Sequence, residues 1–173
     1  TEGLSYLMVE APFPEQREGQ KDPGFSWYLN KSREGIDASR EKLKNLLKEL
    51  EDFGFKSEKI FFLGFSQGAA MSLDIALRVP KIFGGFICVS GLCVQSESYP
   101  QAFSTLANQQ RILITHGTRD EIVLLEDTEK SLLPLKNSQI PFDQFLTNFF
   151  GMSQTIIKFI RVIKNLPDSK LFI

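Results

Sequence analysis

The stretch Lys59-Ile60-Phe61-Phe62-Leu63-Gly64-Phe65-Ser66-Gln67-Gly68-Ala69-Ala70-Met71-Ser72-Leu73 decides the fold of this chain. It opens with a short apolar run of strand length, continues through Gly64-Phe65-Ser66-Gln67-Gly68, and passes into a segment of helical composition. A G-x-S-x-G motif between a strand and a helix is typical of a nucleophile elbow, where the serine stands on a sharp, strained turn. The sequence therefore predicts that Ser66 projects its hydroxyl above a sheet edge, at the N-terminus of a helix.

The other residues of the motif fit this geometry. Glycine lacks a Cβ atom, so Gly64 and Gly68 leave room where the strand and the helix approach each other. Free N–H groups and the helix dipole favour negative charge at the start of the helix. The backbone N–H of Gln67 is therefore a candidate oxyanion-hole donor. The alternative is a glycine-bracketed turn before an ordinary helix, which gives Ser66 no chemical role.

Composition limits the class of protein. The 173 residues are 42% hydrophobic and 24% charged with a formal net charge of −1, which fits one globular α/β domain over residues 1–173. This balance gives no reason to expect nucleic acid as a partner, and no apolar run reaches the length of a membrane span. Cys88 and Cys93 match neither a C-x-x-C motif nor a zinc ligand set, so we expect reduced core thiols and a cytoplasmic location.

Strands and helices alternate along the chain. Expected strands cover residues 4–9, 60–63, 85–90, 111–115 and 140–146. Expected helices cover residues 33–53 behind a Ser32 cap, 69–77, 102–108, 124–136 and 153–165. This alternation predicts an α/β fold with an open, mostly parallel sheet and helices on both faces. Ligands of such sheets bind beyond the carboxyl ends of the strands, and both Ser66 and Asp120 follow strand ends.

Three further residues are candidates for the site. Asp120 follows Ser66 in the chain and begins a loop after a strand, which fits the acid of a serine triad; it could also cap the helix after it. Trp27 belongs to the aromatic cluster of residues 25–28, which is either a loop packed onto the core or one wall of a cleft. Trp27 and Phe65, the neighbour of Ser66, are the candidate substrate-binding residues.

Four segments together resemble the phospholipase/carboxylesterase family of α/β-hydrolases, which includes acyl-protein thioesterases and small bacterial carboxylesterases. They are Val9-Glu10-Ala11-Pro12-Phe13-Pro14, Ser26-Trp27-Tyr28, Gly64-Phe65-Ser66-Gln67-Gly68-Ala69-Ala70 and His116-Gly117-Thr118-Arg119-Asp120. The resemblance implies a serine hydrolase that acts on acyl esters or thioesters and uses neither a metal nor a cofactor. It implies that Ser66 is the nucleophile, that Asp120 is the triad acid, and that His116 is structural.

The chain departs from the family pattern at two places. Members of the family begin with an earlier strand and a His-Gly-x-Gly-Gly-like loop that supplies the second oxyanion donor, and residues 1–3 supply neither. The family also places its catalytic His just before the final helix, where the alignment of Gly151-Met152-Ser153 puts Phe150. Phenylalanine carries no proton acceptor, and the only histidine, His116, precedes Asp120 in the chain.

Three interpretations therefore stay open. The chain is an active serine esterase or thioesterase, a hydrolase-like binding protein that has lost turnover, or an incomplete or altered version of an ordinary enzyme, as its start at Thr1 indicates. The first interpretation needs a base, which His116 could supply only against the usual chain order. A hydrogen bond at the end of its strand is the alternative role of that residue. The sequence indicates neither the preferred acyl chain nor an oligomeric state.

Overall fold

A computed structural model describes residues 4–16, 19, 21–29, 32–148 and 170–173 of the chain. Among these residues, one sheet contains six strands, which are β1 (Leu4–Tyr6), β4 (Ile60–Phe65), β5 (Gly85–Val89), β6 (Ile112–Gly117), β7 (Asp143–Thr147) and β8 (Lys170–Phe172). Their order in the sheet is β1-β8-β4-β5-β6-β7, and all of its strand pairs are parallel. Strands β2 (Phe13–Glu15) and β3 (Gly24–Ser26) form a separate antiparallel pair. The expected α/β class with a parallel sheet is confirmed.

Within the described residues, four α-helices accompany the sheet, and three of them differ from the sequence prediction. They are α1 (Ile36–Asp52), α2 (Gln67–Arg78), α3 (Leu125–Ser131) and α4 (Leu133–Asn137). The predicted Ser32 cap is wrong, because α1 begins after Gly35, whose φ of 96° suits glycine. The single helix predicted over residues 124–136 is two, since Pro134 occupies the first turn of α4, where its missing N–H is not needed. The helix predicted over residues 102–108 is only a 3₁₀ turn, Ala107–Gln109.

The main core lies between one face of the sheet and the helices. Successive side chains of a strand point to opposite faces, so Ile60 and Phe62 join this core while Phe61 joins a smaller cluster on the other face. The rings of Phe62 and Phe86 stack with centroids 4.8 Å apart. Helices α1, α2 and α4 all contribute buried side chains to the main core. The helix expected over residues 153–165 lies outside the described residues, so helices on both faces remain a prediction.

The two cysteines are buried thiols, as expected. Cys88 lies in β5 and Cys93 in the loop after it, and neither forms a disulfide. Burial raises the pKa of each thiol to about 12, so both stay protonated at neutral pH. Among the described residues, no helix is both long enough and apolar enough to cross a membrane.

A buried network of ion pairs joins α1 to α2. The side chain of Asp74 has no exposed area, and its two carboxylate oxygens lie 2.5 Å from Arg40 Nε and 2.9 Å from Arg78 Nε. Arg40 also reaches Asp37 at 2.7 Å and Gln95 at 2.9 Å. A buried carboxylate is tolerated when its charge is paired and its lone pairs accept hydrogen bonds, and both conditions hold here.

Substitution of Asp74 tests how strongly this network stabilises the fold. We expect Asp74→Ala to lower the free energy of unfolding by about 3–5 kcal/mol, because two guanidinium groups lose a fully buried partner. The control is Asp37→Ala, whose carboxylate belongs to the same network but is 76% exposed. Its loss should cost less than about 1 kcal/mol. Urea titration of both variants measures the difference, and equal losses would contradict the prediction.

Candidate active site

Ser66 occupies a strained turn between β4 and α2. Its φ of 51° and ψ of −114° lie outside the regions that residues with a Cβ atom ordinarily adopt. Two backbone hydrogen bonds hold the turn. The Ser66 N–H donates to Val89 O at 2.9 Å, and the Ala70 N–H donates to Ser66 O at 3.0 Å. The sheet and the first turn of α2 therefore fix the unusual backbone together.

Gly64 permits the close approach of the strand to the helix. A Cβ atom on Gly64 would lie 2.3 Å from the carbonyl carbon and oxygen of Gly68, so any side chain there would collide with backbone. At Gly68 a Cβ atom would meet Trp27 Nε1 at 3.9 Å, which is an ordinary contact. The expectation that both glycines are needed for space is thus right for Gly64 and wrong for Gly68. Gly91, which the sequence analysis missed, is also tight, since its Cβ would lie 2.5 Å from Ala69 Cβ.

Ser66 and Asp120 follow strand ends at the same edge of the sheet, as predicted. Strand β5 lies between β4 and β6, with Phe65 opposite Val89 and Val89 opposite Thr115. Ser66 follows Phe65, Ser90 follows Val89 and His116 follows Thr115, so these three residues are neighbours across the sheet. Asp120 follows in the turn after β6. Ser90, like Ser66, has a positive φ, at 48°.

The carboxyl group of Asp120 is partly buried and well supplied with donors. Its Oδ1 accepts hydrogen bonds from the N–H groups of Ile122 and Val123, both at 3.0 Å, and Ser90 donates from its hydroxyl. Burial alone raises the pKa of Asp120, but these hydrogen bonds outweigh it, and the net pKa is below the usual value. Asp120 is therefore ionised at neutral pH. The predicted helix cap is wrong, because this carboxylate caps the turn and α3 begins later, after Leu124.

His116 is buried in β6 and joins neither Ser66 nor Asp120 by a hydrogen bond. Its Nδ1 lies 2.9 Å from Gly117 O, and because a carbonyl can only accept, Nδ1 carries the proton. Its Nε2 is buried and has no hydrogen-bond partner among the described residues. The strand-end hydrogen bond expected for His116 is present. Phe150, the residue aligned with the base of the family, lies outside the described residues.

The side chain of Gln67 links the elbow to the aromatic segment, a link that the sequence analysis missed. Its Oε1 accepts the N–H of Trp27 at 2.8 Å, and its Nε2 donates to Tyr28 O at 3.0 Å. Ser39 on α1 donates from its hydroxyl to Trp27 O at 2.6 Å. Tyr28 is buried in the main core, whereas Trp27 is half-buried. Both residues pack on the main core, as the first alternative predicted, and Trp27 also lines a cavity beside the elbow. No pattern of residue spacing in the sequence predicts a contact between residues that are 40 positions apart.

A cavity of about 500 Å³ opens beside the elbow. Trp27, Phe65, Gly64 and Gly68 line one part of it, and residues 6–9 and Met71 line others. Ser66 is not in the lining, although both of its flanking segments are. A larger cavity, of about 720 Å³, surrounds Gly84 and Arg111 at the opposite edge of the sheet, away from the motif. Of the predicted site residues, Trp27 and Phe65 line the cavity beside the elbow, whereas Ser66, Gln67 and Asp120 do not.

The backbone N–H of Gln67 is the first of α2. The N-terminus of a helix carries the positive end of the helix dipole, so an N–H at this position favours a negative charge that forms near Ser66 Oγ. Within the described part of the chain, no cluster of three or more His, Cys, Asp or Glu residues could hold a metal ion.

Comparison with known proteins shows the family of this chain. The sequence profile of the Phospholipase/Carboxylesterase family matches residues 23–161. The chain belongs to this family. An acyl-protein thioesterase 1 of Gibberella zeae is 32% identical over 130 residues, which cover 74% of this chain and 54% of the relative. An acyl-protein thioesterase 1 of Debaryomyces hansenii is 37% identical over 91 residues, 52% of this chain and 39% of the relative. The chain thus spans about half the length, or less, of these relatives.

Solved structures of similar fold include plant and bacterial members. Arabidopsis thaliana SOBER1 superposes with a TM-score of 0.77 at 24% identity, covering 91% of this chain and 81% of that one. The structure of esterase PE8 gives a TM-score of 0.70 at 26% identity, covering 89% and 76%. The Bacillus cereus carboxylesterase gives 0.66 at 16% identity, covering 87% and 71%. The sheet of the family member described here is thus that of the α/β-hydrolase carboxylesterases.

Alanine at the two glycines of the motif tests the geometry of the elbow. We expect Gly64→Ala to destabilise this family member by about 3 kcal/mol or more, because the new methyl group collides with the Gly68 backbone. Gly68→Ala is the matched control, because its methyl group has room and alanine favours a helix; its stability should change by less than about 1 kcal/mol. Thermal unfolding measures both, and a tolerated Gly64→Ala would contradict the close approach.

Proposed function

We propose that the chain is a serine hydrolase that cleaves acyl esters or thioesters and uses Ser66 as its nucleophile. The observation that carries the proposal is the strained backbone of Ser66, at a φ of 51°, on a turn where Gly64 leaves no room for a side chain. Strain of this kind persists where the surrounding structure enforces it, and it is concentrated at functional sites. Membership in the family supports the same chemistry, since relatives are named acyl-protein thioesterase 1 and carboxylesterase SOBER1.

The proposed reaction begins with attack of Ser66 Oγ on the acyl carbonyl carbon while a base takes the hydroxyl proton. The bond from the acyl carbon to the alcohol or thiol then breaks, the leaving group takes the proton from the base, and water releases the acyl group from Ser66 as a carboxylic acid. The oxyanion that forms accepts a hydrogen bond from the backbone N–H of Gln67. Asp120, kept ionised by Ser90 and by the backbone of its own turn, orients the base and stabilises it once it is protonated. The scheme needs neither a metal nor a cofactor, because acyl transfer to serine requires only a base and an oxyanion donor.

The apolar cavity beside the elbow is the proposed site of the acyl chain. A volume of about 500 Å³ lies within the usual range for small-molecule sites, and Trp27 and Phe65 are the substrate-binding residues in this scheme. The substrate is therefore a small acyl ester or thioester. A cytoplasmic location is part of the proposal, and two buried thiols that form no disulfide are consistent with it.

A second candidate function is a hydrolase-like binding protein that keeps the cleft without turnover. One observation favours it: the only histidine of the chain is buried, and it makes no hydrogen bond to Ser66 or Asp120. Without a base, a serine hydroxyl is a weak nucleophile at neutral pH. The two candidates share the cleft and differ in whether Ser66 is activated.

Labelling with a fluorophosphonate probe decides between them, because the probe reacts with an activated serine. We expect the native chain to be labelled and Ser66→Ala to be silent, with a stability change within about 1 kcal/mol. Ser57→Ala, in a turn at the opposite end of β4, is the control and should be labelled normally. An unlabelled native chain favours the binding protein. Full esterase activity in Ser66→Ala would remove that residue from the mechanism.

Phe150→His tests whether the chain lacks a base at that position. The sequence alignment puts Phe150 where the family has its catalytic His, so the substitution should supply a base for Ser66. We expect ester hydrolysis to rise by at least roughly tenfold, because general-base help is worth about 10² to 10⁴ in rate. Turnover and melting temperature should be measured together. A lower melting temperature with unchanged turnover would show that position 150 is not the site of the base.

A further inference from the structure

The side chain of Gln67 holds the segment that walls the cavity. Its amide oxygen accepts a hydrogen bond from the N–H of Trp27, and its amide nitrogen donates one to the carbonyl of Tyr28. One side chain therefore binds the backbone of two successive residues. Ser39 holds the remaining carbonyl, that of Trp27, from α1. Three side-chain hydrogen bonds therefore fix a two-residue segment, and two of them come from the residue that directly follows Ser66.

The position of this segment determines the shape of the cavity. Trp27 lines the cavity together with Gly64, Phe65 and Gly68 of the elbow. Its Nε1 stands 3.9 Å from the point where Gly68 would carry a Cβ atom, so the indole lies close to the first turn of α2. If the backbone of residues 27–28 shifts, the indole shifts with it. The width of the cavity changes as a result.

We propose that the Gln67 side chain is a positioning residue that fixes Trp27 as a wall of the acyl cavity and so sets the preference for longer acyl chains. The substrate class, an acyl ester or thioester, rests on the proposed function, whereas the hydrogen bond between Gln67 and Trp27 does not. A long chain needs the full cavity, but an acetyl group extends only a short way from the reacting carbon. The Gln67 side chain therefore acts on selectivity for chain length, apart from any role of its backbone N–H.

The chain contains a single tryptophan and three tyrosines, so fluorescence excited at the red edge, where tyrosine does not absorb, reports on Trp27 alone. Gln67→Leu keeps a side chain of similar size and removes both hydrogen bonds. In the ligand-free protein we expect acrylamide to quench Trp27 at least about twice as efficiently as in the native chain. Titration with decanoate should show binding about tenfold weaker, since two neutral hydrogen bonds contribute on that scale. The ratio of kcat/KM for a decanoyl ester over an acetyl ester should fall about tenfold for the same reason, through a higher KM for the decanoyl ester.

Gln110→Leu is the matched control. Gln110 is a buried glutamine that grips backbone in the same way, donating to Lys81 O at 2.6 Å and accepting from Phe83 N at 3.4 Å. It lies near the cavity at the opposite edge of the sheet. Gln110→Leu should leave the acrylamide quenching of Trp27, the affinity for decanoate and the decanoyl-to-acetyl ratio of kcat/KM unchanged. Ser39→Ala removes the third hydrogen bond to the segment and should shift all three in the direction of Gln67→Leu, but less.

Each outcome bears on the inference separately from the proposed function. A native chain without turnover that binds decanoate more tightly than Gln67→Leu contradicts the proposed function and supports the positioning role. The positioning role is overturned if acrylamide quenching of Trp27, or the decanoyl-to-acetyl ratio of kcat/KM, is the same in Gln67→Leu as in the native chain. It is also overturned if decanoate does not change the Trp27 emission of the native chain. If Gln67→Leu does not fold, Gln67→Glu replaces it. That variant keeps the acceptor for Trp27 and loses the donor to Tyr28, so native behaviour in it overturns the role as well.

Discussion

The contact on which the site depends is the approach of β4 to α2 at Gly64. With only 2.3 Å between the Gly68 carbonyl group and the place of a Gly64 Cβ atom, the chain must reverse within one residue. That residue is Ser66, and the reversal puts it in a strained backbone conformation with a φ of 51°. The same approach puts the first N–H of the helix, that of Gln67, directly after the serine. The strain at Ser66 and the position of a donor for negative charge thus have one cause.

Placing α2 so close to the sheet has a second consequence, which is the burial of Asp74. The middle of this helix, from Ala69 to Leu77, is buried on all sides, because β4 and β5 cover one side of it and α1 packs on another. A carboxylate in such a helix needs charged partners, and Arg40 supplies one from α1 while Arg78 supplies another from the next turn of α2. The network therefore fixes α1 relative to the helix that carries the elbow. Ser39, the neighbour of Arg40 on α1, donates a hydrogen bond to the carbonyl of Trp27, so α1 also positions the wall of the cavity.

Local patterns predicted the parts of the structure that local chemistry determines. A glycine-bracketed serine between an apolar run and a helix was enough to find the elbow, and the alternation of strands and helices placed Asp120 at the same sheet edge as Ser66. The pairing of β8 between β1 and β4 was missed, because Lys170–Phe172 is short, carries no alternation, and pairs with residues more than 100 positions away. The Gln67 side chain was missed for a similar reason. An amide is chemically ordinary, and its importance comes from the backbone groups that folding brings to it.

The electrostatics of the site make the identity of the base the deciding question. Burial raises the pKa of Asp120, but hydrogen bonds from Val123, Ile122 and Ser90, with the charge of His116 as the smallest cause, bring it below its usual value, so the carboxyl group is negatively charged at neutral pH. In a complete triad that charge stabilises the protonated base during acyl transfer. Without a base, the same negative charge would oppose ionisation of a neighbouring serine, since a like charge disfavours a second anion. On the proposed assignment, the carboxylate therefore assists Ser66 only through a base held between them, and the buried His116, whose Nδ1 is committed to Gly117 O, is not held there.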